Sequence, residues 1–483
     1  MLAQTLPHVS SPSASQPDTA ALHGLDHEHG FQPLRVEGRL PADLCGTLYR
    51  NGPARFDIGT RPHWFDGTGA VSAVRLDGAS ASGAVRITHT PSVDADQRAT
   101  IPSHGGFRQP FSRARSLAAL FGAPVIRNTA NINVLPWQGR LFALYESTLP
   151  VELDPVTLAN RGETSLNGLI RGAWNAHPHR VASRRAIYQF GVRIGARVWL
   201  DLYELPSQGA ARRLHSIALP GVSEVHDFFA TDNHLVFVLA PLWCSSLKLL
   251  VRRSFVEALE WRADEPTTVL VIPIDAPEKI VRIETEPFFF WHAVNGFERA
   301  GGRELVLDLV RYPDFNTTKR ALDAISAGQP LAAAGYHGGS LQRGVVDVLA
   351  RQVRWQQPLA SDCEFPAVHR DVQGRDYRYS WLATRGQQAS RHDWFNALTR
   401  IDAQTGARRD IDLGPQCAVS EAAVVPRSAR EDDTYVLSLV RDFAADCSWL
   451  GIWDGAASDA EPLARVWFDQ LLPAPLHGCW MGA

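Results

Sequence analysis

Nowhere does this chain hold an unbroken apolar run of about eighteen residues, so no helix of it is expected to span a bilayer. The six cysteines, at positions 45, 244, 363, 417, 447 and 479, form no CxxC pair and follow no regular spacing. That pattern excludes a zinc knuckle and a disulfide framework, and it fits a reducing compartment. Charge of one sign is also missing: the formal net charge is -3, which leaves no basic footprint for nucleic acid. Long helical periodicity is scarce. Residues 1–30, rich in Ser, Pro, Ala and His, have no basic start followed by an apolar stretch, so a loose leader is expected there rather than a secretory signal. His23, His27 and His29 are read as part of that solvated leader.

What is present is globular and β-rich. With 45% hydrophobic and 20% charged residues, the 483-residue chain can build a full core. Short β-branched or alternating stretches, such as Thr47 to Arg50, Ala70 to Leu76, Ala84 to Thr90 and Leu141 to Tyr145, are separated by Gly, Pro, Asn and Asp. Three places share an apolar residue, an Asp and a turn residue: Leu153-Asp154-Pro155, Ile274-Asp275-Ala276 and Ile401-Asp402-Ala403. An Asp so placed accepts from backbone amides two residues on and sets a tight turn between strands. The three recur at intervals of 121 and 127 residues, the spacing of two four-stranded propeller blades of about sixty residues each. A sandwich or several β domains would share most of these features.

Residues 107–126 and 242–261 break the β pattern. The first sets Arg108, Arg113 and Arg115 beside Phe111, Leu117, Leu120 and Phe121; the second sets Lys248, Arg252 and Arg253 beside Trp243, Leu247, Leu249 and Leu250. Basic and apolar groups together suit a membrane interface, where cations meet anionic headgroups and side chains enter the acyl boundary. A helix packed on the body with a solvated basic face would look the same.

Four separated histidines organise the rest: His177 in Asn-Ala-His-Pro, His226 in Val-His-Asp-Phe-Phe, His292 in Trp-His-Ala-Val-Asn and His477 in Pro-Leu-His-Gly-Cys. Each sits among apolar or aromatic residues where a strand is expected to begin or end, so each can point inward from a different part of a closed β structure. Four neutral imidazoles suit a borderline first-row cation such as Fe(II), Zn(II) or Cu(II).

At Gly46-Thr-Leu-Tyr-Arg-Asn-Gly-Pro53 and His63-Trp-Phe-Asp-Gly-Thr-Gly69 the chain resembles the carotenoid cleavage oxygenase family. The resemblance continues in order through Asn128-Thr-Ala-Asn131, Glu152-Leu-Asp-Pro155, Ala176-His-Pro178, His226-Asp-Phe228, His292 with Asn295, Glu364-Phe-Pro366, Tyr377-Arg-Tyr379, Ser420-Glu421 and His477-Gly478, covering residues 31–483. It implies one all-β domain, a seven-bladed β-propeller with a helical and loop cap carrying a substrate tunnel. It also implies one non-haem Fe(II) held by His177, His226, His292 and His477, with His179 and His234 as the nearest rivals. Supporting carboxylates fall at Glu146, Glu364 and Glu421; three acids for four rings leave His177 as the ring without one. No catalytic side chain beyond the metal ligands is implied.

The activity implied is O2-dependent oxidative cleavage of one C=C bond in a carotenoid or apocarotenoid, giving two carbonyl products. A hydrophobic polyene would be drawn from a membrane surface through residues 107–126 and 242–261, which places the protein in the cytoplasm, peripherally attached to a membrane. Ile132, Tyr145 and Trp291 are the expected cavity residues near the metal. Ile132 stands where the family commonly has Thr, and Tyr145 stands where stilbene-cleaving members carry a lysine that meets a phenolic oxygen, which argues against a phenolic stilbene. Cleavage of a stilbene-type alkene, isomerohydrolase chemistry, and a propeller that binds a carotenoid or lipid without turnover are the other readings. A zinc hydrolase would more commonly use three protein ligands, often including a carboxylate.

Overall fold

The computed structural model describes residues 22–483 other than 58–62, 100–101, 111, 113, 116–124, 195–196, 246–247, 249–253, 328, 330, 332–334, 337, 391–393 and 457–459. Antiparallel strands succeed one another along the chain and pair with their sequence neighbours, which builds seven blades around an axis, the seven-bladed propeller expected. Blades two, three and four are four-stranded, starting at Asn133–Trp137, His179–Val181 and Phe229–Ala230. Blades five and six start at Phe289–Arg299 and Ala360–Val368 and are joined into one eight-stranded sheet.

The ends of the chain close the ring twice. Gly478–Gly482 pairs with Cys45–Arg55 as the innermost strand of blade one, with Arg50 opposite Gly478. Arg35–Gly38 adds to the outer strand Ala464–Trp467 of blade seven. Only glycine fits at 478, because a Cβ there would lie 2.0 Å from the Tyr49 carbonyl oxygen. This close approach of two backbones fixes the residue before it, His477, on the axis.

Blade strands are buried on both faces by their neighbours, so they read as apolar runs rather than strict alternation. Glu304–Tyr312 is an example: every residue from Leu305 to Val310 is buried. Between blades one and seven, Leu48, Val74 and Val85 pack with Leu437, Leu450 and Val466. Each such side chain contributes about 1.5–3 kcal/mol on burial, so the ring is closed by packing as well as by strand pairing.

The three Asp turns all follow the third strand of a blade, in blades two, four and six. Asp154 Oδ1 accepts from the amides of Val156 and Thr157 at 2.9 Å, and Asp402 Oδ1 accepts from those of Gln404 and Thr405 at 2.9 and 3.2 Å. Asp275 differs: both its oxygens take the Arg184 guanidinium at 2.7 Å. A cation that reaches a carboxylate from the neighbouring blade outcompetes the local amides.

The leader is shorter than residues 1–30 suggest. Leu25 donates its amide to Ala54, Glu28 accepts from the Ile87 amide, and His29 already begins a strand. The region 242–261 also departs from the reading as a break in the β pattern. Leu242–Cys244 pairs with Leu259–Trp261 around a short helix, Phe255–Ala258, because that hairpin buries Leu242 and Leu259 in the core. In the region 107–126, Phe107 is likewise buried, and Arg108 pairs with Asp323 at 3.0 Å. Leu117, Leu120, Phe121, Leu247, Leu249, Leu250, Arg252 and Arg253 lie outside the described residues. Among those described, no helix is long and apolar enough to cross a membrane. All six cysteines are free.

Candidate metal centre and its cavity

The propeller brings the four histidines together. His177 and His226 each lie just before the first strand of a blade, His292 lies inside the first strand of blade five, and His477 precedes the closing strand. His292 is therefore the exception to the expectation that each sits at a strand end; the register of its strand shifts between Phe290 and Ala293 and between Ala293 and Asn295. The His292 Nε2 lies 3.3 Å from His226 Nε2 and 3.1 Å from His477 Nε2. The His177 ring centroid is 4.4, 5.3 and 4.8 Å from those of His226, His292 and His477.

Neighbouring side chains lock these loops. Asn175 Oδ1 accepts from the His177 amide at 2.7 Å while its Nδ2 donates to the His226 carbonyl at 2.9 Å. Asp227 accepts from the amides of Phe228 and Ala293, tying the His226 segment to the His292 strand. It also takes His179 Nε2 at 2.7 Å, while His234 Nδ1 is held by Glu298 at 3.0 Å. Both rival histidines are thereby committed to carboxylates away from the cluster.

Carboxylates face three of the rings at Nδ1, and two of them, Glu364 and Glu421, hydrogen-bond there. His292 pairs with Glu364, whose other oxygen accepts from the Tyr312 hydroxyl at 2.9 Å. His477 pairs with Glu421 at 3.1 Å, and the buried Arg50 donates to Glu421 Oε2 at 2.6 Å. His226 Nδ1 lies 2.5 Å from Glu146 Oε1. His177 Nε2 is buried without a hydrogen-bond partner, 3.8 Å from Glu146. A carboxylate on Nδ1 fixes the tautomer with the Nε2 lone pair facing inward, the form that binds a metal.

Electrostatics favour the neutral ring at three of the four histidines. Burial pushes the His226 imidazole down to about 3, helped by His292, and burial with the three other rings holds His177 well below its ordinary value. Burial also lowers His477, against the pull of Glu421. For His292, burial is outweighed by Glu364 and more distant acids, so its pKa rises. Glu364 and Glu421 are held low despite burial, the first chiefly by His292 and the second by His477 and Arg50. Glu146 goes the other way, raised by burial.

The residues fit a cation. Facing Nε2 lone pairs repel, and two imidazoles bound at right angles with bonds of about 2.1 Å place their nitrogens about 3 Å apart. His177, His292 and His477 have ligand atoms that all lie within 4.8 Å of one another, and the orphaned His177 Nε2 has nothing else to bind.

One side of the cluster opens into a cavity that reaches Glu146, His226, His292 and His477. Ile132, Tyr145 and Trp291 line it, all three as the sequence suggests, with Trp64, Phe65 and Leu322 among the other walls. Helix Phe315–Ser326 caps it; Asp314 caps that helix by accepting from the Thr317 amide at 2.7 Å. Four contributors are given no role by the sequence: Arg50 and Asp227, which stand inside the family motifs, and Tyr312 and Glu224, which stand outside them. Glu224 had a local signal, an acid in Val-Ser-Glu-Val two residues from His226, a spacing that puts both on one side of an extended chain.

A model of the family described as retinal pigment epithelial membrane protein (RPE65) matches residues 24–482. The apocarotenoid-15,15'-oxygenase of Synechocystis sp. is 29% identical, over 98% of this chain and 99% of that protein. The isoeugenol monooxygenase of Pseudomonas putida is 27% identical, over 92% of this chain and 94% of that protein. The solved cobalt-substituted Synechocystis oxygenase superposes with a TM-score of 0.83 at 28% identity, covering 97% of this chain and 99% of that one.

Proposed function

Because the chain belongs to the RPE65 (retinal pigment epithelial membrane protein) family, we propose that it is an oxygenase that cleaves a C=C bond of an apolar alkene, of the carotenoid or apocarotenoid class, into two carbonyl products. The observation that carries this reading is that His292 Nε2 lies 3.3 Å from His226 Nε2 and 3.1 Å from His477 Nε2 on the floor of a cavity walled by aromatic and aliphatic side chains. The relatives named above are oxygenases of alkene-bearing compounds, and one was solved with cobalt.

Fe(II) is the metal proposed, one per chain, with O2 as co-substrate. His177, His226, His292 and His477 would hold it, and when bound it supplies oxygen activation without a protein acid or base. Four neutral ligands leave its positive charge intact and two octahedral positions free. Both oxygen atoms of O2 are accounted for by the two new C=O groups, so no external reductant is required.

The chain's own contribution is orientation and dryness. Glu364 and Glu421 hydrogen-bond His292 and His477, and Glu146 lies 2.5 Å from His226, an arrangement in which the Nε2 atoms face the cavity floor. Trp291 packs edge-on against His226, with centroids 4.6 Å apart, and Phe65 packs edge-on against Trp291. Such walls exclude water and align a rigid conjugated substrate, the source of most of the advantage of a bound over a free reactant. Ile132 narrows the approach beside His477, whose amide donates to the Ile132 carbonyl at 3.1 Å.

The test is anaerobic reconstitution with Fe(II), then admission of O2 with apocarotenals, carotenoids and hydroxystilbenes in parallel, reading carbonyl products by mass. Aldehydes from one class establish the reading and fix the bond cut. Bound iron without product from any of them overturns it. A peripheral membrane role is proposed on composition alone, for residues 107–126 and 242–261. Replacing Leu117, Leu120 and Phe121 with Ser should weaken cosedimentation with anionic liposomes, and unchanged cosedimentation would remove that role.

A further inference from the structure

The cavity wall carries one acid whose presence neither the metal nor the fold explains. Glu364 is shared by His292, Tyr312 and the Phe365 amide. Tyr312 and Tyr336 bond to each other at 3.0 Å, and Arg385 lies 3.3 Å from Asp362. Glu146 supports His226. Glu224 has no such assignment: it lines the cavity, its side chain bonds to Glu146, and among the described residues no Lys or Arg pairs with it. A carboxyl group on a largely apolar wall is costly unless a partner completes its hydrogen bonds, and a ligand can be that partner.

Resting on the alkene-cleavage reading, we propose that Glu224 is a specificity-determining residue that binds a hydroxyl group of the substrate. A hydroxyl both donates and accepts, so the contact holds whether the carboxyl carries a proton or not. The place of Glu224 narrows the class further. It sits against Glu146, one imidazole away from the cation site, with Tyr145 beside it. A hydroxyl bound there belongs to a ring close to the double bond that is cut, as in a phenolic alkene or a polyene cleaved near a hydroxylated end ring.

The test compares binding of matched pairs, 4-hydroxystilbene with stilbene and a 3-hydroxy-apocarotenal with its unhydroxylated parent, to the iron-loaded protein without oxygen. Quenching of the cavity residues Trp64, Trp291 and Trp394 reports it. The wild type should prefer the hydroxylated member of at least one pair by about tenfold, roughly one hydrogen bond's worth. Glu224→Leu should reduce that preference to within about twofold, and Glu224→Gln, which still hydrogen-bonds, should retain most of it. Preference in the stilbene pair identifies a phenol, and in the apocarotenal pair an alcohol. No preference in the wild type, or an undiminished one in Glu224→Leu, overturns the assignment. So does equal weakening of both members with loss of iron, which would make Glu224 a support for Glu146. Binding is read without turnover, so a chain that binds hydroxylated alkenes and releases no product would sink the cleavage reading alone.

Discussion

The four-histidine cluster has two unlike sides. Toward the cap, His226, His292 and His477 face the cavity of Trp64, Phe65, Ile132, Trp291 and Leu322. Toward the opposite end of the axis, His177, His292 and His477 face a second pocket, walled by His179, Arg180, Asp227, Asn295 and Glu421. His226 belongs to the first side only and His177 to the second only, while His292 and His477 belong to both. The contrast assigns work to each side. The polar one adds Asp227 and Glu421 to the hold on the rings, while the apolar one, although Glu146 and Glu364 also border it, is walled mainly by side chains suited to a water-insoluble molecule.

Removing a ring common to both sides should have the largest effect. His292→Ala is expected to leave the protein folded but without metal and without activity, measured by metal analysis of the purified chain; full metal occupancy would remove His292 from the ligand set. Next comes blocking one side at a time. Ala321→Phe, which fills the apolar cavity, should lower turnover by about 100-fold at unchanged metal content, because it displaces the substrate from its reacting geometry. Ala367→Phe, on the polar pocket, should leave turnover within about threefold, since no substrate has to pass it. Similar losses from both would abolish the distinction between the sides.

Two smaller changes sharpen the comparison at its boundary. Glu364→Gln should lower metal affinity or rate roughly 10- to 100-fold, as loss of a carboxylate behind a metal-bound imidazole does. An isothermal titration with Co(II) reads the affinity directly. Tyr312→Phe removes the bonds to Glu364 and Tyr336 and should cost about 1–3 kcal/mol of stability, a shift visible in thermal unfolding, with the rate changed only a few-fold.

The motif residues made the centre legible. Ala-His-Pro, His-Asp-Phe and His-Gly name three of the four rings and Glu-Phe-Pro one of the three acids; Trp-His-Ala-Val-Asn and Ser-Glu add His292 and Glu421, and the propeller closes them onto one axis. The Asp turns at 154, 275 and 402 recorded the two-blade repeat even though Asp275 spends its oxygens on Arg184. What stayed hidden depends on contacts remote in sequence. Arg50 reaches Glu421 across 371 positions, and Tyr312 reaches Glu364 across 52. Each lies in a strand whose pattern is that of ordinary core. The segment 242–261 is divided: Leu242 and Leu259 are spent on the body, while Leu247, Leu249 and Leu250, which carry the membrane reading, lie outside the described residues.

We propose that four imidazoles, and no carboxylate or thiolate, hold one iron beneath an apolar cavity. X-ray absorption at the iron edge of the anaerobically reconstituted protein tests it most directly. The account predicts one iron per chain with a shell of imidazole nitrogens at about 2.1 Å. A sulfur shell near 2.3 Å, or a shell with fewer than four imidazoles in which a protein carboxylate replaces a ring, would contradict it.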